Sequence, residues 1–171
     1  MVVHTLQNAW IQSYIKLAPQ ISSLSGAGVG YAKNRSVQQC TGSVLVFCDA
    51  DDICMEHRII SLWNALRTTP KPELTLVGSK FERIPAGSTS RYTHWANTLS
   101  NSQLYNQIFT SHGPTLIAPT WCMSRKLYDS VGGFYEAQSV GFPEDLRFFY
   151  EAVKLGAHFV KVFYCSLVIF V

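Results

Sequence analysis

The stretch Val44-Leu45-Val46-Phe47-Cys48 is continuously apolar and runs straight into Asp49-Ala50-Asp51-Asp52. An apolar run with no polar alternation predicts a strand covered on both faces, which restricts the chain to a layered α/β architecture. In open sheets of that kind ligands bind in the crevice beyond the carboxyl ends of the strands, so Asp49, Asp51 and Asp52 stand at a ligand-binding edge. Acids at i and i+2 beside a third repel one another, and a hard divalent cation relieves the repulsion. Mg²⁺ or Mn²⁺ held by one or two carboxylates completes its shell with waters and phosphate oxygens, which makes a nucleoside diphosphate the implied ligand. The alternative, an Asp that only caps the next helix, accounts for one acid, Asp52 foremost, and not for three.

Around this stretch, helix and strand signals alternate. Residues 10–17 predict a short helix stopped by Pro19, and residues 22–30 a Ser/Gly-rich loop. A helix over residues 31–40 follows Gly26, Gly28 and Gly30 and carries Lys33, Asn34 and Arg35 in its first turns. A glycine loop feeding a helix N-terminus suits a phosphate or nucleotide, and the same pattern suits a plain turn into a surface helix. Ile59, Leu62, Trp63 and Leu66 predict an amphipathic helix ended by Pro70 and Pro72. Residues 74–77 predict a short buried strand and residues 78–93 a polar loop; Ser100 with Gln103 then forms a capping box ahead of a helix carrying Leu104 and Ile108. Residues 115–118 and 121–123 predict strands separated by Pro119, and Ser124 caps a helix that stops at Gly132-Gly133. Glu144 and Asp145 open a last helix with Leu146, Phe149, Tyr150 and Val153 as its buried stripe and Gly156 at its end. The alternation argues for a mixed α/β sheet with helices on both faces.

At 171 residues and 47% apolar content the chain is long enough for one domain with a real core. The net charge of +3 and the lack of a dense Lys/Arg run give no compositional sign of nucleic-acid binding. Cys40, Cys48, Cys54, Cys122 and Cys165 are odd in number and contain no CxxC pair, which favours thiols in a reducing compartment. Residues 1–20 lack a secretory pattern, and the apolar residues 163–171 are far fewer than the roughly 20 needed to span a bilayer, so the expectation is a cytoplasmic protein with no membrane anchor.

Four segments, Gly30-Tyr31-Ala32-Lys33-Asn34, Phe47-Cys48-Asp49-Ala50-Asp51-Asp52, Val131-Gly132-Gly133-Phe134 and Glu144-Asp145, resemble in order and spacing the family 2 inverting glycosyltransferases of the GT-A fold. Further matches at Gly28-Val29, Arg91-Tyr92-Thr93, Phe109-Thr110-Ser111, Gly113-Pro114-Thr115 and Pro143-Glu144-Asp145-Leu146 with Phe148-Phe149-Tyr150-Glu151 are similar to the β-1,3-N-acetylglucosaminyltransferase-like group that galactosylates queuosine in tRNA. The resemblance implies a Rossmann-like mixed sheet, a UDP-sugar donor (UDP-galactose foremost), Mn²⁺ or Mg²⁺ as cofactor, and queuosine in a tRNA anticodon as acceptor. It implies that Asp51 holds the metal, with Asp49 as a second metal contact or a ribose contact, and that Gly30, Lys33, Asn34 and Asp52 line the nucleotide-sugar site. Asp145 then corresponds to the base that activates the acceptor hydroxyl, Glu144 helps hold the acceptor, and the reaction is one in-line displacement inverting the anomeric carbon.

Residues 1–25 do not resemble the family's opening strands, which hold the uracil, and residues 163–171 depart from it again. The expectation is a partial GT-A domain over residues 26–162, between a divergent N-terminal segment and an apolar tail, in a truncated enzyme. Two alternatives stay open: a non-catalytic fragment, and an N-acetylglucosaminyltransferase acting on a saccharide. A metal-dependent phosphohydrolase also uses a strand-tip Asp pair, but its additional Lys and Ser/Thr elements have no match. Trp95, Tyr92, Arg91 and His94 suit stacking on nucleic acid and suit ordinary packing equally; His112 reads as structural or solvent-exposed.

Overall fold

The computed structural model describes residues 2–6, 28–110, 113–136 and 141–170. One mixed sheet holds β1 (Val2–Leu6), β2 (Val44–Cys48), β3 (Ile53–Cys54), β4 (Thr75–Ile84), β5 (Cys122–Ser124) and β6 (His158–Phe170), in the spatial order β1-β2-β5-β4-β6-β3. Pairing is antiparallel throughout except between β4 and β6, so β2, β4 and β6 run the same way and open onto one edge. The helices are α1 (Val29–Gln38), α2 (Arg58–Arg67), α3 (Ser90–Thr98), α4 (Asn101–Asn106), α5 (Arg125–Val131) and α6 (Glu144–Lys154). Among the described residues no helix is long and apolar enough to cross a membrane.

Strand β2 is buried along its whole length, as its unbroken apolar run predicts. Leu45 and Phe47 face the larger core with Val37 of α1, Leu104 of α4, Leu127 of α5, and Phe148, Phe149 and Ala152 of α6. Val44 and Val46 face the opposite core with Leu62 and Leu66 of α2. Helices thus cover both faces, and each fully buried large side chain stabilises by roughly 1.5–3 kcal/mol. The aromatic centre is Trp121, stacked on Phe134 at 6.0 Å and tilted against Phe148 at 5.4 Å, its indole N–H donating to the Leu116 carbonyl at 2.8 Å.

Local signals place several ends as expected. Ser100 and Gln103 form the capping box of α4, the Ser124 hydroxyl accepts the Leu127 N–H at 3.0 Å, and α5 stops on Gly132 at φ 87°.

Elsewhere the structure departs from the reading. Residues 78–84 are not loop but the second half of β4, because β6 supplies a parallel partner for every residue from Thr75 to Ile84; residues 90–93 begin α3. Residues 115–118 are buried without being a strand, and residues 118–120 form a 3₁₀ turn. The buried stripe of α6 centres on Phe148, Phe149 and Ala152, with Leu146, Tyr150 and Val153 only partly buried beside it. In α2, Leu62 and Leu66 are buried, whereas Ile59 and Trp63 are half-buried.

The two ends of the chain also differ from expectation. The apolar residues 163–170 continue β6 rather than trailing from the fold. At the other end, where no family-like opening strand is recognisable, Val2–Leu6 pairs antiparallel with β2 from Val2↔Cys48 to Leu6↔Val44. A buried apolar strand with an open edge leaves backbone N–H and C=O groups needing partners, and a β-branched segment meets that need. The helix expected over residues 10–17, Gly26 and His112 lie outside the described residues.

Candidate active site

The acidic turn leaves β2 at the edge where β4 and β6 also end, and Asp52 N–H closes it on the Asp49 carbonyl at 3.3 Å. The capping alternative fails here: α2 starts at Arg58 with His57 as its cap, well beyond Asp52. Asp51 is exposed, while Asp49 and Asp52 are partly buried. Burial raises the Asp49 carboxyl above its ordinary value, with Lys33 opposing and Asp51 and Glu144 adding to the shift. Burial, then Asp49 and Asp51, raise Asp52 to about 6, against the Phe170 N–H and the Arg58 charge.

Whether a divalent cation fits is decided by these groups. Among the described residues no three His, Cys, Asp or Glu side chains form a ready metal cage. The Asp52 Oδ2 atom, however, is buried with no hydrogen-bond partner, and the charges of Asp49 and Asp51 add to burial in raising the proton affinity of Asp52. An open-sided set of one or two carboxylates suits Mg²⁺ or Mn²⁺, which keep positions for water and phosphate, and does not suit a closed structural site.

The pH dependence follows with a definite sign. An unfolded Asp titrates near 3.9, so the folded chain keeps the Asp52 proton to higher pH than the unfolded chain does. The penalty for ionised Asp52 is absent below about pH 4 and complete above about pH 6, and stability falls across that window. Asp52→Asn in metal-free buffer is expected to be more stable than the natural chain by about 1 kcal/mol near pH 7.5, after discounting for partial exposure, and equal to it near pH 4. Melting curves at the two pH values check this, and equal melting at both would contradict it.

Helix α1 brings Gly30, Lys33 and Asn34 to the same edge, but in roles different from those its charge pattern suggests. Lys33 is buried, its ammonium 2.6 Å from Glu144 Oε1 and 4.8 Å from the Phe134 ring centroid. It therefore faces the interior and neutralises the first acid of α6. Asn34 is buried too: its amide donates to the Phe134 carbonyl at 2.7 Å and Glu136 Oε1 at 2.8 Å. Its oxygen accepts the Tyr128 hydroxyl at 2.7 Å and the Phe134 N–H at 2.9 Å. All four hydrogen-bonding positions are filled, so in this structure Asn34 pins the glycine turn rather than reaching a ligand. Gly30 permits close approach of backbone to backbone: a Cβ there would stand 2.2 Å from the Tyr135 carbonyl oxygen.

Asp145 sits in the first turn of α6, its Oδ1 accepting the Leu146 N–H at 2.7 Å. Burial raises its carboxyl, with Lys33 and the Leu146 N–H opposing and Glu144 adding. Lys33 is thus within electrostatic reach of Asp49, Glu144 and Asp145, which ties the acidic turn to the start of α6.

Two participants, Arg83 and Arg58, escape the sequence reading, and a third, Tyr92, is weighed there only for stacking on nucleic acid. Tyr92 of α3 lies close enough to Asp145 to feel its charge, and the Arg83 guanidinium stands 5.6 Å from the Tyr92 and Phe81 ring centroids. Nothing local in the sequence announces Arg83 or its place beside Tyr92, because the polar stretch 78–93 reads as loop. Arg58 is fully buried and donates to the Phe47 and Pro119 carbonyls, each at 2.5 Å, and to Cys54 Sγ at 3.0 Å. A signal for it existed: Arg58 lies one helical step before Leu62 and two before Leu66, on the buried stripe. Of the residues weighed for nucleic acid, Arg91 and His94 are exposed, while Trp95 is partly buried with its indole N–H on Gln107 at 2.9 Å.

The sequence model of the family described as Glycosyl transferase family 2 matches residues 9–132, which include α1, the acidic turn and the glycine that ends α5. The match begins ahead of the resemblance noted above and ends before Glu144 and Asp145, and it spans most of the 171 residues. The sheet with helices on both faces agrees with it. The chain belongs to glycosyl transferase family 2.

Proposed function

We propose that the chain moves a hexose from a UDP-sugar, UDP-galactose foremost, to an acceptor hydroxyl with inversion, the acceptor being queuosine in a tRNA anticodon. The observation that supports this reading is that Lys33, paired with Glu144 at the start of α6, acts electrostatically on both Asp49 and Asp145, which links the acidic end of β2 to the first turn of α6. In the proposed mechanism Asp51 and Asp49 hold Mn²⁺ or Mg²⁺, and Asp52 and Gly30 border the nucleotide. The chemistry a bound cation supplies there is neutralisation of charge on the departing diphosphate. Asp145 takes the proton of the acceptor hydroxyl as it attacks; its raised proton affinity brings it closer to the working pH of a general base. Lys33 and Asn34 act from behind, the first orienting Glu144 and the second holding the glycine turn. Tyr92, within reach of the Asp145 charge, and Arg83, 5.6 Å from the Tyr92 ring, offer an aromatic and cationic pair of the kind that stacks on an unpaired base.

The test is calorimetric titration of UDP-galactose, with UDP-N-acetylglucosamine as comparator, into the 171-residue chain with and without Mn²⁺. Binding of UDP-galactose that requires Mn²⁺ supports the reading, and transfer to queuosine-containing tRNA completes it. No binding by a folded chain overturns it; preference for UDP-N-acetylglucosamine favours the saccharide-directed alternative.

A further inference from the structure

Cys48 ends β2 and is buried; Cys54 ends β3 and is exposed. Their sulfurs are 3.3 Å apart, and the segment between them carries Asp49, Asp51 and Asp52. The approach is held by structure on both sides. Cys54 pairs with Leu167 of β6, and the Arg58 guanidinium bonds Cys54 Sγ through one nitrogen and the carbonyl of Phe47, the neighbour of Cys48, through another. A disulfide needs its sulfurs about 2.05 Å apart, so closure takes an approach of only about 1.3 Å.

We propose that Cys48 and Cys54 form a reversible dithiol–disulfide couple that closes the acidic turn into a ring and weakens its hold on a divalent cation. With hydrogen peroxide as oxidant, the exposed Cys54 thiolate attacks a peroxide oxygen; the O–O bond breaks, leaving a sulfenic acid and releasing water after proton transfer. The Cys48 sulfur then attacks the Cys54 sulfur, the S–S bond forms, the S–O bond breaks, and a second water leaves with the Cys48 proton. Two thiols lose two electrons and the peroxide gains them. Drawing Cys54 toward Cys48 narrows the turn between them, and cations that demand near-octahedral geometry tolerate little displacement of their carboxylates. This consequence rests on Asp49 and Asp51 holding the metal as proposed above; the disulfide itself does not.

The experiment treats the full 171-residue chain with hydrogen peroxide, alkylates the remaining thiols and maps the peptides by mass. The expected product joins the Cys48 and Cys54 segments, is lighter by two hydrogens, disappears on reduction and is absent from Cys54→Ser. Mn²⁺ titrated into the oxidised and reduced samples is expected to bind the oxidised one about tenfold more weakly. Cross-links through other cysteines, or Cys54 driven to the sulfinic acid with Cys48 intact, would overturn the couple. A Cys48–Cys54 bond with unchanged Mn²⁺ affinity overturns its effect on the turn. A reduced chain that binds no Mn²⁺ overturns both that effect and the metal reading, while the mass map still decides the couple.

Discussion

Asp145→Asn is expected to lower the rate of sugar transfer by about 10²–10⁴-fold, the usual contribution of a general base, while leaving donor binding intact. The substitution keeps an oxygen to accept the Leu146 N–H, so the first turn of α6 holds its shape. It removes only the ability to take a proton. In the proposed mechanism donor affinity depends on the acidic turn of β2, a separate element, and should not move. UDP release measured with acceptor, set beside calorimetric donor affinity, separates the two quantities. Turnover equal to that of the natural chain would exclude Asp145 as the base, and loss of donor binding would mean that the start of α6 belongs to the nucleotide site.

Arg58→Ala is expected to cost about 3–5 kcal/mol of stability, a large part of the 5–15 kcal/mol that holds a typical domain. The side chain is fully buried, and its removal leaves the buried Phe47 carbonyl and the part-buried Pro119 carbonyl without their donor. A cavity between β2 and α2 adds to the loss. Arg58→Lys is expected to recover only part, because a single ammonium cannot span two carbonyls and the Cys54 sulfur as the planar guanidinium does. The midpoint of urea unfolding reads both variants; an unchanged midpoint for Arg58→Ala would show that the two carbonyls find other partners. Since Phe47 lies just before the acidic turn, the alanine variant also loosens the segment that carries Asp49 and Asp51.

How far local sequence reaches can be seen element by element. The unbroken apolar run of β2, the capping box at Ser100, the Ser124 cap and the glycine stop of α5 are readable because each depends on residues within one turn or one strand. The second half of β4 was not readable. Its Gly-Ser-Lys-Phe-Glu-Arg-Ile string is polar enough to pass for a loop, and it is a strand because β6 pairs with it from far along the chain. Residues 115–118 mislead in the opposite direction: they are mostly apolar and buried, yet among the described residues no strand pairs with them.

The candidate site divides in the same way. That acids gather at the end of β2 and the start of α6 is written in the sequence, since an apolar strand ending in carboxylates and a helix opening on them are local patterns. What those groups do to one another is not. Lys33 looks like a ligand-facing cation and instead pairs with Glu144, 111 positions away; Asn34 looks like a nucleotide contact and instead saturates itself on Phe134, Tyr128 and Glu136. Residue types and their local spacing therefore determined the strand, the caps and the acidic edge, whereas the tertiary structure alone decided which buried polar groups became partners. A buried charge or amide must satisfy itself with whatever packing brings within about 3 Å, and that neighbour is set by the fold and not by the adjoining sequence.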